Sequence, residues 1–466
     1  MAKTTRIMGP PGTGKTTTIA RRLERIGADG VIALSYTRAA RLALLRKTPS
    51  LTLQQVRTLH SMAFESLGLK YGENTLNGFE IAQWFRDRGF RYNARMNDNP
   101  LENRSLEGNK LQAVFSRALH CAPMYGGDPL QSLAKTYSPV KDDLSLPISA
   151  AVRHLGAWIE YQQSEEAYTY DGILLTAHQR GMYMAPGRVL VADEAQDLTP
   201  LMYSLLEHIQ GDFNEFWVVG DDDQAIYTYA GADPGYLIGL SADNTEILGQ
   251  SYRLPSAIHE IACIWASGLS DRVDKAYRPR LGDAGRVAHY GAFSEAVDNA
   301  LQTGDTILIL HRHRHQVEQT IAALGARGVA AVAVGEDGPQ PTERTRKILD
   351  LLYSLVKDRA QRVYPESWSA VCKALPSMML RRAGVKTPKR DLHRLVKEEM
   401  TVQQIAMHPD GIRVLRLLEV DGLSRLELSK TQRAWWDMWG PRGTVYAPRV
   451  RVGTIHASKG LEADTV

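Results

Sequence analysis

Three short stretches of this 466-residue chain carry side chains whose types and spacing could do phosphate chemistry. The first is "RIMGPPGTGKTTTIARRLERIG", where Gly9, Gly14, Lys15 and Thr16 have the spacing of a phosphate-binding loop. Glycines at 9, 12 and 14 let backbone N–H groups turn inward onto phosphate oxygens, and the helix that follows offers its positive end to the same anion. Pro10, Pro11, Thr13 and Thr17 complete the loop and its exit. Lys15 would reach the β and γ phosphates of a bound nucleotide, and the Thr16 hydroxyl would hold Mg2+. The loop by itself leaves kinases, GTPases and motor ATPases open.

The second stretch, "GRVLVADEAQDLTP", has a short apolar run over residues 189–192 that ends in Asp193 and Glu194. Asp193 would complete the Mg2+ shell, and Glu194 would orient or deprotonate an attacking water. A small-molecule kinase needs no such second acid, so the pair points to NTP hydrolysis. The third stretch is "FWVVGDDDQAIYTYAGAD". Gln224 is a neutral group able to bond a γ phosphate or its attacking water. Tyr227 and Tyr229 follow closely, and two readings of them stand open: core packing, or a platform for base stacking worth about 1–3 kcal/mol per base.

The first stretch reads strand, glycine loop and helix, and the second and third contain short apolar runs of strand length. Delivery of loops and acids at the C-terminal ends of buried parallel strands is the mark of an open α/β sheet. The first stretch continues into an amphipathic helix, "TTTIARRLERI".

Bulk composition is that of a globular protein, 44% hydrophobic and 23% charged. No apolar run approaches the roughly 20 residues of a membrane span, and the N-terminus, rich in Gly and Pro, is no signal peptide. Cys121, Cys263 and Cys372 are far apart, which argues against a disulfide framework and for a reducing, cytoplasmic setting. A net charge of +4 permits nucleic-acid binding without requiring it.

Seven motifs in order, "GPPGTGKTT", "ALSYTRAA", "TLHSMAF", "DEAQD", "GDDDQAIYTYAGA", "QSYRLPSAI" and "GTIHASKGLE", give the chain a resemblance to the UvrD/Rep/PcrA family of superfamily 1 helicases. The resemblance implies an α/β fold of two RecA-like P-loop domains with parallel sheets, each carrying a mainly helical insertion. It implies that Tyr252 stacks on adenine, that Arg253 reaches the γ phosphate from the second domain, and that Glu462 faces the ribose. It implies DNA contacts at Tyr36, Thr37, Arg38, Thr58, His60, Arg312 and His456, with Tyr227 and Tyr229 beside them. The implied cofactors are ATP and Mg2+, and the implied partners are single-stranded and partially duplex DNA, with replication or repair proteins as further candidates.

The motifs divide the chain into a first RecA-like domain (1–72 and 187–245), a helical insertion (73–186), a second, incomplete RecA-like domain (246–357 and 446–466) and a second, short insertion (358–445). "TYDGILLTAHQRG", with Tyr170 and Asp171, resembles the segment by which the family returns from the first insertion. The second insertion holds a basic run (Arg381, Arg382, Lys386, Lys389, Arg390, Arg394, Lys397) and a tryptophan cluster (Trp435, Trp436, Trp439). The run "HRHRH" (His311, His313, His315) is read as a strand-to-loop edge near DNA, because the alternating arginines would repel a metal cation.

The chain also departs from the family pattern. Only eight residues precede Gly9, so no adenine-reading glutamine motif fits upstream. Ala230 stands where the family has an arginine, and Tyr229 where it has tryptophan. The chain stops at Val466, before the family's last motif, which suggests a fragment or split gene with a second chain supplying the rest. The leading expectation is an ATP-dependent helicase or translocase moving 3′→5′ on single-stranded DNA. The alternative is an ATP- and DNA-binding protein without unwinding activity of its own.

Overall fold

The computed structural model describes residues 2–35, 38–94, 106–302, 306–335, 362–375, 380–381, 383–419 and 449–466. It falls into two compact units, Met1–Ala288 and His289–Val466.

The first unit is built on a six-stranded sheet. Its strands are β1 (Lys3–Met8), β2 (Val31–Leu34), β3 (Val56–Arg57), β4 (Gly187–Ala192), β5 (Phe213–Gly220) and β6 (Asn244–Ile247), in the order β3-β2-β4-β5-β1-β6. Every pairing is parallel. Side chains alternate between two buried faces. Ile7, Val189, Val191, Trp217 and Val219 point to one core, with Ile19 and Leu23 of helix α1 (Lys15–Ile26). Met8, Leu190, Ala192, Phe216 and Val218 point to the other. Burial on both faces explains why β4 and β5 end in continuous apolar runs rather than in alternation.

Helices α2 (Arg38–Lys47) and α3 (Leu59–Ser66) follow β2 and β3. Between α3 and β4 the chain is helical: α4 (Gly78–Arg86), α5 (Glu107–Cys121), α6 (Pro129–Thr136), α7 (Ile148–Ser164) and α8 (Tyr170–Arg180). These helices share one continuous core with the sheet, in which Trp84 and Trp158 meet with ring centroids 4.7 Å apart. After β4 come α9 (Pro200–Ile209), α10 (Gly235–Gly239) and, beyond β6, α11 (Ser256–Ala266).

The sequence reading starts a second domain at 246. In the structure β6 extends the first sheet by pairing with β1, and Leu248 donates its N–H to the Met8 carbonyl at 2.7 Å. The unit boundary lies at 288/289. Ser251, Tyr252 and Tyr277 bond to the phosphate loop, and Tyr252 and Arg253 lie in the same unit as Lys15.

The second unit holds a three-stranded parallel sheet, β7 (Ile307–His311), β8 (Ala331–Ala333) and β11 (Val450–Thr454), in the order β7-β11-β8. Helices α12 (Phe293–Gln302) and α13 (Arg314–Ala326) pack on it through Val297, Val317 and Leu324. Residue Thr465 bridges Ile307 in parallel, on the free side of β7. Between β8 and β11, strands β9 (Arg362–Val363) and β10 (Met400–Thr401) pair antiparallel. They sit with the helices Pro365–Ala374, Val402–Ala406 and Pro409–Glu419 over a separate core around Trp368. Arg382 and the tryptophans at 435, 436 and 439 lie outside the described residues. Among the described residues no helix is long and apolar enough to cross a membrane.

Candidate active site

The loop between β1 and α1 has the backbone a phosphate cradle requires. Gly12 and Gly14 have φ of +76° and +81°, in the left-handed region that glycine enters freely. At Gly12 a Cβ would also lie 2.3 Å from Arg253 Cβ. The N-cap of α1 is Gly14, which has no side chain to satisfy the first-turn N–H groups, so they remain directed at the loop. The Gly9 N–H donates to the Gly220 carbonyl at 3.1 Å, joining the loop to the end of β5. Lys15 Nζ donates to the Gly9 carbonyl at 2.6 Å, folded over the loop it would serve.

Strand β4 delivers Asp193 into the interior, where it is 4% exposed. Burial first, then the neighbouring Glu194, push its carboxyl up to about 7, while the Lys15 ammonium pulls the other way. A buried carboxyl this unfavourable to ionise is suited to a hard divalent cation, and the Thr16 hydroxyl supplies a second oxygen donor. Oxygen donors in small number fit Mg2+, which keeps waters and phosphate oxygens in its shell. Among the described residues no group of three or more His, Cys, Asp or Glu is arranged to hold a metal ion. In the histidine run, His311 Nε2 meets Thr320 Oγ1 at 2.8 Å, and His313 stacks on His315.

Glu194 adopts φ +57°, unusual for a residue with a Cβ, at the turn that leaves the sheet. Its Oε2 accepts from Gln196 Nε2 at 2.6 Å. The other end of the same side chain, Gln196 Oε1, accepts the Asp221 N–H at 2.9 Å. Asp221 Oδ2 in turn accepts from Gln224 Nε2 at 2.5 Å. One fully buried amide therefore connects Glu194 to the loop carrying Gln224. A Cβ at Gly220 would lie 2.5 Å from Gln196 Oε1, so the glycine there makes room for this bridge.

The acids of that loop are held by residues the sequence reading passed over. Lys275 is fully buried and pairs with Asp222 at 2.7 Å, Asp223 at 2.8 Å and Asp221 at 3.4 Å. Burial would lower the pKa of its ammonium, but hydrogen bonds to Asp222 and Asp223 raise it. Arg272 grips Asp223 with two bonds, 2.9 and 2.7 Å. Nothing local in "SDRVDKAYRP" announces this role, because the partners lie some fifty residues away.

The "QSYRLP" segment lies against the phosphate loop. The Tyr252 N–H donates to the Gly12 carbonyl at 2.9 Å, and Ser251 Oγ and Tyr277 OH both donate to the Pro11 carbonyl, at 3.0 and 2.7 Å. The Tyr252 side chain is 71% exposed.

The expected DNA contacts divide three ways. Tyr36 and Thr37 lie outside the described residues, and Arg38 opens α2, its side chain likewise outside them. Thr58 caps α3, its hydroxyl accepting the Ser61 N–H at 3.2 Å. His60 sits in the first turn of that helix, its pKa lowered to about 4 by burial, and meets Tyr170 edge-on at 5.6 Å. Tyr227 and Tyr229 are half-buried, with ring centroids 6.3 Å apart, so neither is a core residue. Arg312, His456 and Glu462 belong to the second unit. Arg312 follows β7 and His456 follows β11, both at the C-terminal edge of one parallel sheet, and the Ile455 N–H donates to the His311 carbonyl at 3.0 Å. The Glu462 carbonyl accepts from Arg451 at 2.7 Å.

A family profile described as an AAA domain matches residues 1–230. The ATP-dependent DNA helicase Rep of Escherichia coli is 28% identical over 222 residues, covering 43% of this chain and 33% of that protein. DNA helicase IV of E. coli is 26% identical over 162 residues, 33% of this chain and 24% of that protein. The ATP-dependent DNA helicase PcrA of Staphylococcus aureus is 22% identical over 309 residues, 62% of this chain and 41% of that protein. The chain thus spans less than half the length of each of these relatives.

Proposed function

We propose, from the premise that the chain belongs to the UvrD/Rep/PcrA-like group of superfamily 1, that it hydrolyses ATP and spends the cycle on movement along single-stranded DNA. The observation that carries the reading is the Gln196 bridge from Glu194 to Asp221. A plain phosphate-binding domain has no use for a second acid tied by a buried amide to a glutamine-bearing loop. The relatives' names, which describe ATP-dependent DNA helicases, support the same reading.

In this reading the loop N–H groups and Lys15 bind the phosphates, and Tyr252 stacks on the base. Thr16 and Asp193 would hold Mg2+, which when bound neutralises charge on the phosphate oxygens. Glu194, oriented by Gln196, takes the proton of the attacking water. Arg253 and Gln224 lie on loops joined to that site and respond to the γ phosphate. His60, Tyr227 and Tyr229 form the DNA-facing side of the first unit, and Arg312 and His456 that of the second. Movement is 3′→5′, and the substrate extends to partially duplex DNA.

Ala230 favours a second reading. With an uncharged side chain in that turn, hydrolysis could run without strand separation, leaving a DNA-binding ATPase that does not unwind. The test is ATP turnover by the chain with and without oligo-dT, followed by unwinding of a 3′-tailed duplex. Stimulation by oligo-dT that disappears in Lys15→Ala is the expected result. ATP binding with no stimulation sinks the motor reading, and stimulation without unwinding selects the second one.

A further inference from the structure

The buried polar contacts not used by the nucleotide site converge on His120, in the last turn of α5. Its side chain is 6% exposed, and both ring nitrogens are engaged. Nδ1 lies 2.8 Å from Thr199 Oγ1 and Nε2 lies 3.0 Å from Asp171 Oδ1. Three parts of the first unit meet there. Thr199 is the N-cap of α9, accepting the Met202 N–H at 3.3 Å, and it ends the segment 193–199 that begins with both acidic side chains. Asp171 lies in the first turn of α8, beside Tyr170, whose ring is 49% exposed and rests edge-on against His60. Gly231, at φ +97°, closes the turn that carries Tyr229, and a Cβ there would stand 3.5 Å from His120 Cβ.

Burial would raise the Asp171 carboxyl, but the charge and hydrogen bond of His120, with a further bond from Ser116, hold it down at about 2. Asp171 is therefore an acceptor, and Nε2–H donates to it. Thr199 Oγ1, which accepts from the Met202 N–H, is the hydrogen-bond partner of Nδ1. The imidazole is tied at both edges. A displacement of Asp171 must carry Thr199 with it or break a buried hydrogen bond, which is unfavourable. The 227–231 turn, Tyr-Thr-Tyr-Ala-Gly, holds no charged side chain to make such a link instead.

We infer that His120 is a positioning residue that couples single-stranded DNA at the His60–Tyr170 face to the carboxylate segment 193–199. The inference rests on the motor reading above and names the route by which DNA would accelerate its hydrolysis. The exposed Tyr170 ring against His60 at one end and the acidic side chains of the segment at the other share one connector, so DNA that shifts Tyr170 resets the segment through Asp171, His120 and Thr199.

The test uses the full chain with His120→Asn and His120→Gln. Asparagine keeps an amide where Nδ1 lies and loses Asp171; glutamine reaches Asp171 and loses Thr199. Each variant is assayed for turnover and KM for ATP without DNA, for oligo-dT affinity by fluorescence anisotropy, and for turnover at saturating oligo-dT. Coupling energies of the usual size predict that DNA-stimulated turnover falls about tenfold in both, while basal turnover, KM and oligo-dT affinity stay within about twofold. Full stimulation in both variants overturns the inference and leaves His120 a packing residue. Basal and stimulated turnover falling together also overturns it. If the His120 variants do not fold, Asp171→Asn is held to the same split. Absence of stimulation in the unaltered chain overturns the motor reading and this inference with it.

Discussion

Gln196 and Glu194 are two residues apart in the chain and joined side chain to side chain, the amide donating to Glu194 Oε2 over 2.6 Å. The amide's oxygen is committed in the other direction, to the backbone of Asp221. Glu194 is thereby aimed by a group that lies outside both the phosphate loop and the proposed Mg2+ ligands.

Gln196→Ala should therefore damage chemistry more than binding. Positioned proton transfer contributes about 10²–10⁴-fold, and losing the orientation of the base is expected to lower kcat for ATP by about 10²-fold with little change in KM. The buried Asp221 N–H left without its acceptor should also reduce stability by about 1–3 kcal/mol. Steady-state kinetics and urea unfolding check the two effects separately. Unchanged kcat would remove Gln196 from the mechanism.

Lys275 is the single ammonium among three acids at the end of β5. Lys275→Met keeps most of its volume and removes the charge, leaving Arg272 as the remaining grip on Asp223. Breaking one side of a buried ion pair typically costs about 3–5 kcal/mol. Urea unfolding of the variant should show a loss of that size at neutral pH, and a loss below about 1 kcal/mol would mean that the acids are satisfied without Lys275.

Tyr252 presents an exposed ring beside the Gly12 carbonyl that its own N–H holds. Stacking on a base is worth about 1–3 kcal/mol, so Tyr252→Ala should raise KM for ATP about tenfold or more, whereas Tyr252→Phe should leave it near the starting value. Equal KM values for the two variants would exclude stacking at this position.

Asp410, in the second unit, shows how pH should act on stability. Burial would raise its pKa, but the Thr387 hydroxyl, the N–H groups of Lys386 and Thr387, and Arg413 all bond the carboxylate and hold it well below the ordinary range. A depressed folded pKa contributes stability that is complete above the unfolded value of about 4 and declines as pH falls below it, toward the folded pKa. Asp410→Asn should accordingly destabilise this unit at pH 7, and the gap to the unaltered chain should narrow steadily below about pH 4. A gap constant from pH 7 to pH 2.5 would contradict this account.

Much of the candidate site was legible because its signals are local. Gly9 to Thr16 read as a phosphate cradle from their own spacing, and their φ values follow from glycine at 12 and 14. Asp193 and Glu194 were legible as acids at the end of a strand because an apolar run on a doubly buried strand looks the same wherever it falls. What spacing could not reveal is which distant group touches them. Gln196 meets Asp221 across 25 residues, Lys275 reaches Asp223 across 52, and His120 joins residues 51 and 79 positions away. The place of residues 244–247 in the first sheet was illegible for the same reason. The edge strand β6 earns its membership of the first sheet only by pairing with β1, and Thr4 and Asp243, 239 residues apart, share a hydrogen bond at that seam.

The sequence by itself determined which groups stand in the candidate site: a glycine loop with Lys15, the acids Asp193 and Glu194 at a strand end, and Gln224, each set by side-chain type and by backbone preferences that span a few residues. Only the tertiary structure decided how they are connected. Glu194 is oriented by Gln196, the acidic loop is held by Lys275 and Arg272, and Arg253 shares a unit with Lys15. Apart from the Glu194–Gln196 bond itself, these links join residues dozens to hundreds of positions apart, brought together when two faces of one sheet are buried, and no local pattern records them.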